Sequence, residues 1–147
     1  MKKFKLLGAF ISAIALIGLT GCDGTVTQDS ITKRLPGYWQ HISCTVTEGG
    51  QSGTESYEAE NIVYEFQEDG QFINPFGGWG IWEVENDVLI IRNSGFGSKP
   101  EKRNVKGMRT DYGMRYTVKK ITNTTLQLYY EDKAYSSESV LYTFRRK

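Results

Sequence analysis

From Gly37 onward, apolar and polar positions alternate with a period of two, and short turn sequences break the alternation. Ile62, Tyr64 and Phe66 interleave with Val63, Glu65 and Gln67, and Asp69-Gly70 then supplies a tight hairpin turn. Phe72, Asn74 and Phe76 follow on one face. Gly77-Gly78-Trp79-Gly80 precedes no helix, so it is a bent strand or a β-bulge and not a phosphate cradle. Trp79 is out of phase with Trp82, which places one of the two at a rim. Trp82 and Val84 resume the pattern, and Asn86-Asp87 turns the chain before Leu89 and Ile91. Later runs are Met114, Tyr116 and Val118; Leu126, Leu128 and Tyr130 after Asn123-Thr124; and Val140, Tyr142 and Phe144. These runs predict about eight short strands, each with one apolar face. That is the signature of an all-β antiparallel sheet with one wet side. Eight such strands close into a barrel, which removes exposed edges; a sandwich of the same strands is the alternative.

The region before Gly37 follows different rules. Met1-Lys2-Lys3-Phe4-Lys5 is positive, and Leu6 to Leu19 carries no charge. That run is shorter than the roughly 20 apolar residues of a spanning helix and has the form of a signal peptide. Residues 23–30 are polar and read as a tether. Asp29 or Ser30 is placed to cap a helical turn from Ile31 to Arg34, stopped at Leu35 by Pro36. Residues 93–112 show no period and are expected to form a long loop, made basic by Lys99, Lys102, Arg103, Lys106 and Arg109.

The apolar run ends in Leu19-Thr20-Gly21-Cys22, which resembles the bacterial lipobox. The resemblance implies cleavage before Cys22 and acylation of its sulfur, often with a further acyl chain on its amine. Two or more chains give a stable anchor where one holds only marginally. The organisation that follows is a signal peptide at 1–21, a lipidated Cys22 with its tether at 22–34, and a folded domain at 35–147. The expected location is the bacterial cell envelope, outside the cytoplasm. Asp23 beside the lipidated residue points to the inner membrane under the sorting rule of enteric lipoproteins.

Losing residues 1–21 removes Lys2, Lys3 and Lys5 and no acid, taking the formal charge from +1 to −2. A chain so nearly neutral gives no reason to expect nucleic acid as a partner. Its distribution is nevertheless lopsided. Ten acids and no Lys or Arg lie between Arg34 and Arg92, whereas thirteen Lys and Arg face five acids from Arg92 to Lys147. Opposite charge on neighbouring strands predicts pairing across the solvated face, each surface pair contributing only about 0–1 kcal/mol. With Cys22 acylated, Cys44 has no disulfide partner and is expected to be buried and inert.

Gly37-Tyr38-Trp39 opens the first strand after Leu35-Pro36 and resembles the Gly-x-Trp signature of lipocalin barrels. Tyr64-Glu65-Phe66 with Asp69-Gly70-Gln71-Phe72, Gly80-Ile81-Trp82 with Asn86-Asp87-Val88-Leu89, and Tyr116-Thr117-Val118 with the segment from Ile121 to Leu128 resemble small lipocalin-like domains of bacterial lipoproteins. The resemblance spans most of residues 35–147. It implies an eight-stranded lipocalin-like (calycin-type) barrel whose floor is closed by Trp39 under a basic side chain. Arg145, or Arg146 beside it, is the expected partner. Neither the C-terminal helix nor the disulfide pair of eukaryotic lipocalins is expected, because the last predicted strand runs to Phe144 and Cys44 has no partner.

Catalytic chemistry finds little material. The single histidine, His41, cannot make a triad or a His-rich metal site. Cys44 lies three residues from it, so in a strand the two side chains are expected on opposite faces. No cofactor is implied. The expected function is therefore membrane-anchored binding of a small apolar ligand, by a pocket of Tyr64, Phe66, Phe72, Asn74, Trp82, Tyr116, Tyr130 and Tyr142. The alternative is a module with a filled barrel that binds an envelope protein through its outer face.

Overall fold

The structure, a computed structural model, describes residues 25–96, 113–131 and 137–147. The signal peptide, Cys22, Asp23 and the basic residues between 97 and 112 lie outside the described residues. One helix, α1 (Gln28–Arg34), leads into nine strands: β1 (Gly37–Glu48), β2 (Gln51–Ser56), β3 (Val63–Phe66), β4 (Gln71–Ile73), β5 (Gly78–Glu85), β6 (Val88–Phe96), β7 (Met114–Ile121), β8 (Thr125–Glu131) and β9 (Ser139–Arg146). A single 3-10 turn, Glu58–Glu60, links β2 to β3.

From β3 to β9 each strand pairs antiparallel with the next, and β1 joins both ends of that series. Its first residues pair with β3, from Gly37 opposite Phe66 to Gln40 opposite Val63. Its other edge pairs with β9, from Trp39 opposite Arg146 to Thr47 opposite Ser139. The result is a closed antiparallel barrel of eight strands, the all-β architecture the alternation predicts. The sandwich alternative does not form.

The ninth strand, β2, stands outside this count. It folds back on the far half of β1 through Gly49 and Gly50, both at positive φ, as a two-residue hairpin requires. All six of its residues are exposed. Lacking an apolar face, Gln51–Ser56 left no hydrophobic alternation by which to recognise it.

Parity along β1 holds a correction. A β-bulge between His41 and Ser43 inserts one residue, so Cys44 lies opposite Tyr142 while His41 lies opposite Phe144. Directly paired residues share a face. His41 and Cys44 therefore both belong to the inner face, and the opposite-face expectation fails at the bulge.

Two other expectations shift. The helix begins at Gln28, and its cap is Thr27, not Asp29 or Ser30. Thr27 Oγ1 accepts from the Ser30 amide while Ser30 Oγ accepts from the Thr27 amide, a reciprocal capping box. The helix packs beneath the barrel: Ile31 and Leu35 are fully buried in the main core, with Val26 packed against it. In addition, β6 runs to Phe96, into the stretch expected to be loop from residue 93.

The charge asymmetry resolves into pairs between the acidic and basic halves. Arg115 meets Glu85 at 2.8 Å, Arg145 meets Glu58 at 2.7 Å, and Arg92 meets Glu83 at 3.5 Å. The first two pairs are more than half exposed, so each adds little stability.

Candidate functional site

The barrel interior divides into a solid floor and an open upper half. Trp39, Phe66, Trp82, Leu89, Val118, Ile121 and Leu126 fill the lower part above Ile31 and Leu35. Two indoles are locked there by hydrogen bonds: Trp39 Nε1 donates to the Leu35 carbonyl at 2.7 Å, and Trp82 Nε1 to the Gln67 carbonyl at 2.9 Å. Each satisfies a buried donor that an apolar floor would otherwise strand.

The basic partner of Trp39 is Arg146, which corrects the expectation of Arg145. Arg146 is paired directly with Trp39 and is in phase with inward Phe144, whereas Arg145 sits opposite Gln40 and turns out to Glu58. The Arg146 guanidinium carbon lies 4.3 Å from the indole centroid. Its nitrogens donate to three backbone carbonyls: Nε to Asn123 at 2.9 Å, Nη1 to Pro36 at 2.9 Å, and Nη2 to Arg34. One side chain thus ties the helix, the opening of β1 and the β7–β8 turn together. Partial burial lowers its pKa from the usual arginine value.

Above the floor lies a cavity of about 250 Å³. Its lining is Tyr64, Phe66, Phe72, Asn74, Phe76, Ile91, Met114, Tyr116, Leu128, Tyr142 and Phe144. Of the eight expected pocket residues, Tyr64, Phe66, Phe72, Asn74, Tyr116 and Tyr142 are among them. Trp82 is instead part of the floor, 8% exposed and edge-on to Phe66. Tyr130 is not part of the lining but contacts it, its ring centroid 5.9 Å from that of Tyr116.

Ile91, Met114, Leu128 and Phe144 were absent from the expected set although they occupy the same alternating faces. The expected set favoured aromatic rings and side chains with hydroxyl or amide groups, which passed over the three aliphatic positions and also missed Phe144. Phe76 also belongs to the site, 71% exposed beside the 42% exposed Met114, and the two mark the mouth.

The rings interlock. Tyr64 stands edge-on to Phe144 at 5.6 Å and roughly parallel to Phe72 at 6.0 Å, and Tyr116 stands edge-on to Tyr142 at 6.0 Å. Burial raises the pKa of all three tyrosines above the ordinary phenol value. For Tyr116 and Tyr142 the neighbouring phenols add to the rise. They remain neutral donors throughout the physiological range. Asn74 plays a different part: its Oδ1 accepts from the amides of Phe76 and Gly78 and so shapes the β4–β5 turn that carries the lip of the cavity. Gly78 is required there, because a Cβ would overlap the Asn74 amide. The strand that follows is bulged between Trp79 and Gly80, as the glycine-rich sequence suggests.

His41 is buried on the inner face but does not line the cavity. It stacks on Tyr57 at 4.8 Å, contacts Phe144 at 5.1 Å, and its Nε2 is 3.0 Å from the Ser43 carbonyl. Burial lowers its pKa, opposed by the Ser43 hydrogen bond and the charge of Glu60. Cys44, half-buried and not wholly enclosed as expected, has its pKa raised by desolvation and by the charges of Glu55 and Glu138. Both shifts favour neutral forms, the reverse of what a thiolate–imidazolium pair needs.

Neither a protein-family model nor a curated protein matches this chain. Among solved structures, it is similar to an uncharacterized protein from Bacteroides eggerthii at 17% identity and a TM-score of 0.42, covering 76% of this chain and 98% of that one. It is also similar to a lipocalin-like protein from Bacteroides uniformis at 17% identity and a TM-score of 0.44, covering 78% and 99%.

Proposed function

We propose that this protein is a lipid-anchored, lipocalin-like binding protein of the bacterial cell envelope, and that its barrel holds one small, largely apolar molecule. The observation that carries the binding part is the cavity of about 250 Å³ walled by aromatic side chains inside a closed barrel. An apolar cavity of about 150 Å³ is enough to take up benzene. The room here suits a compact molecule and falls short of the roughly 300–1,000 Å³ of drug-sized sites. The cavity above the packed floor supports this reading over a protein-interaction module with a filled barrel.

The anchor rests on the sequence: the short apolar run and Leu19-Thr20-Gly21-Cys22 support acylation of Cys22. Binding rather than catalysis fits the neutral, oppositely tuned His41 and Cys44. Two experiments test the two halves. Purification from native membranes, followed by organic extraction and mass spectrometry, is expected to yield a stoichiometric small molecule. If no molecule is recovered and the purified barrel also takes up no apolar fluorophore, the binding reading fails. Labelling cells with a fatty-acid analogue is expected to mark the wild-type protein and not Cys22→Ser; equal labelling of both would remove the anchor.

A further inference from the structure

We infer that the cavity selects a neutral, ring-bearing molecule with one hydrogen-bond-accepting oxygen, such as an aromatic ketone, over a carboxylate of the same size. This deepens the reading of the barrel as a small-molecule binder and depends on it. Tyr64 on β3, Tyr116 on β7 and Tyr142 on β9 bring three hydroxyl groups to a lining whose other described side chains are apolar except for the Asn74 amide. None of the three donates a hydrogen bond to another described residue. A phenol with no protein acceptor keeps its donor for water in the cavity, and a pure hydrocarbon that displaces this water forfeits the interaction. A ligand oxygen set among these hydroxyls restores it, and the surrounding ring faces favour a flat hydrocarbon skeleton.

Charge separates the ketone from the acid. Among the described lining residues none is cationic. The charges that do reach this part of the interior are negative: Glu138 acts on both Tyr142 and Cys44, and Glu55 acts on Cys44. His41, whose ring lies 5.9 Å from that of Tyr142, is kept neutral by its burial. A carboxylate entering this site would shed its hydration and meet no opposite charge. A carbonyl needs only the phenol donors.

Three probes on one two-ring skeleton test this on the full-length protein by titration calorimetry: naphthalene, 2-acetylnaphthalene and 2-naphthoate. The ketone is expected to bind about tenfold tighter than naphthalene, and the naphthoate more weakly than the ketone by at least about tenfold. Tyr116→Phe and Tyr142→Phe keep the rings and are each expected to weaken the ketone about three- to tenfold without weakening naphthalene, which offers the hydroxyl no acceptor. If naphthalene binds but naphthoate matches or exceeds the ketone, the selectivity is overturned while the binding reading stands. The same holds if both phenylalanine variants bind the ketone as wild type does. If none of the three probes binds, the binding reading falls together with the selectivity.

Discussion

A Cβ atom on Gly37 would overlap Nη1 of Arg146, the guanidinium nitrogen that donates to the Pro36 carbonyl. Gly37 also has φ +133°, a conformation that side-chain-bearing residues rarely adopt. The glycine of the Gly-x-Trp opening is thus explained by the arginine at the far end of the chain. Gly37→Ala is expected to cost about 1–3 kcal/mol through backbone strain and displacement of the guanidinium. Urea denaturation of the variant gives the measurement, and a loss below about 0.5 kcal/mol would contradict the assignment.

The two neighbouring arginines make a matched comparison. Arg146→Ala removes the contact with Trp39 and leaves three carbonyls to find new donors, an expected loss of about 2–4 kcal/mol. Arg145→Ala removes an exposed ion pair with Glu58, an expected loss of about 0–1 kcal/mol. Equal losses in thermal or chemical unfolding would mean that the floor is not held by Arg146.

Acid sensitivity follows from His41. Its folded pKa lies below the ordinary value of 6.5, so the unfolded chain binds the proton more readily. The contribution of the neutral ring is complete above about pH 6.5 and is lost as pH falls toward the folded pKa. Replacing it by phenylalanine keeps an aromatic against Tyr57 and Phe144. His41→Phe is expected to flatten the fall in stability on that acid side, as read from urea midpoints at a series of pH values. An unchanged slope would show that another group carries the acid response.

Phe76 and Met114 offer a test of the mouth. Phe76 is so exposed that Phe76→Ser is expected to change stability by no more than about 0.5 kcal/mol. The same substitution removes apolar surface from the lip of the cavity and is expected to weaken an apolar probe several-fold. Unaltered affinity would place the bound molecule wholly below the lip.

The inward face of almost every barrel strand was legible in the sequence, because a two-residue period fixes which side chains look at each other. Tyr64, Phe66 and Phe72 reached the cavity on that reasoning alone. What escaped it has physical causes. The bulge after His41 resets the parity of β1, and nothing in His41-Ile42-Ser43-Cys44 announces the extra residue. Strand β2 is held by backbone pairing and by hydroxyl contacts, Thr45 with Thr54 and Thr47 with Ser52, and carries no hydrophobic signal. Arg146 was in phase with Val140, Tyr142 and Phe144, so strict counting favours it over Arg145. Trp82 shows the opposite limit: its inward direction was correct, but depth along the barrel, which decides floor or cavity, is not encoded in alternation.

The seam between β1 and β9 imposes an order of events on biogenesis. Strands β3 to β8 can zip together in sequence as the nascent chain emerges, but β1 must wait for Ser139–Arg146 before its second edge is satisfied. Until then the growing sheet exposes two open edges and an oily concave surface, the features that invite misassembly. A chain still lacking Ser139–Arg146 is therefore an aggregation-prone open sheet, and it has most to gain from protection in the moments before that last strand docks.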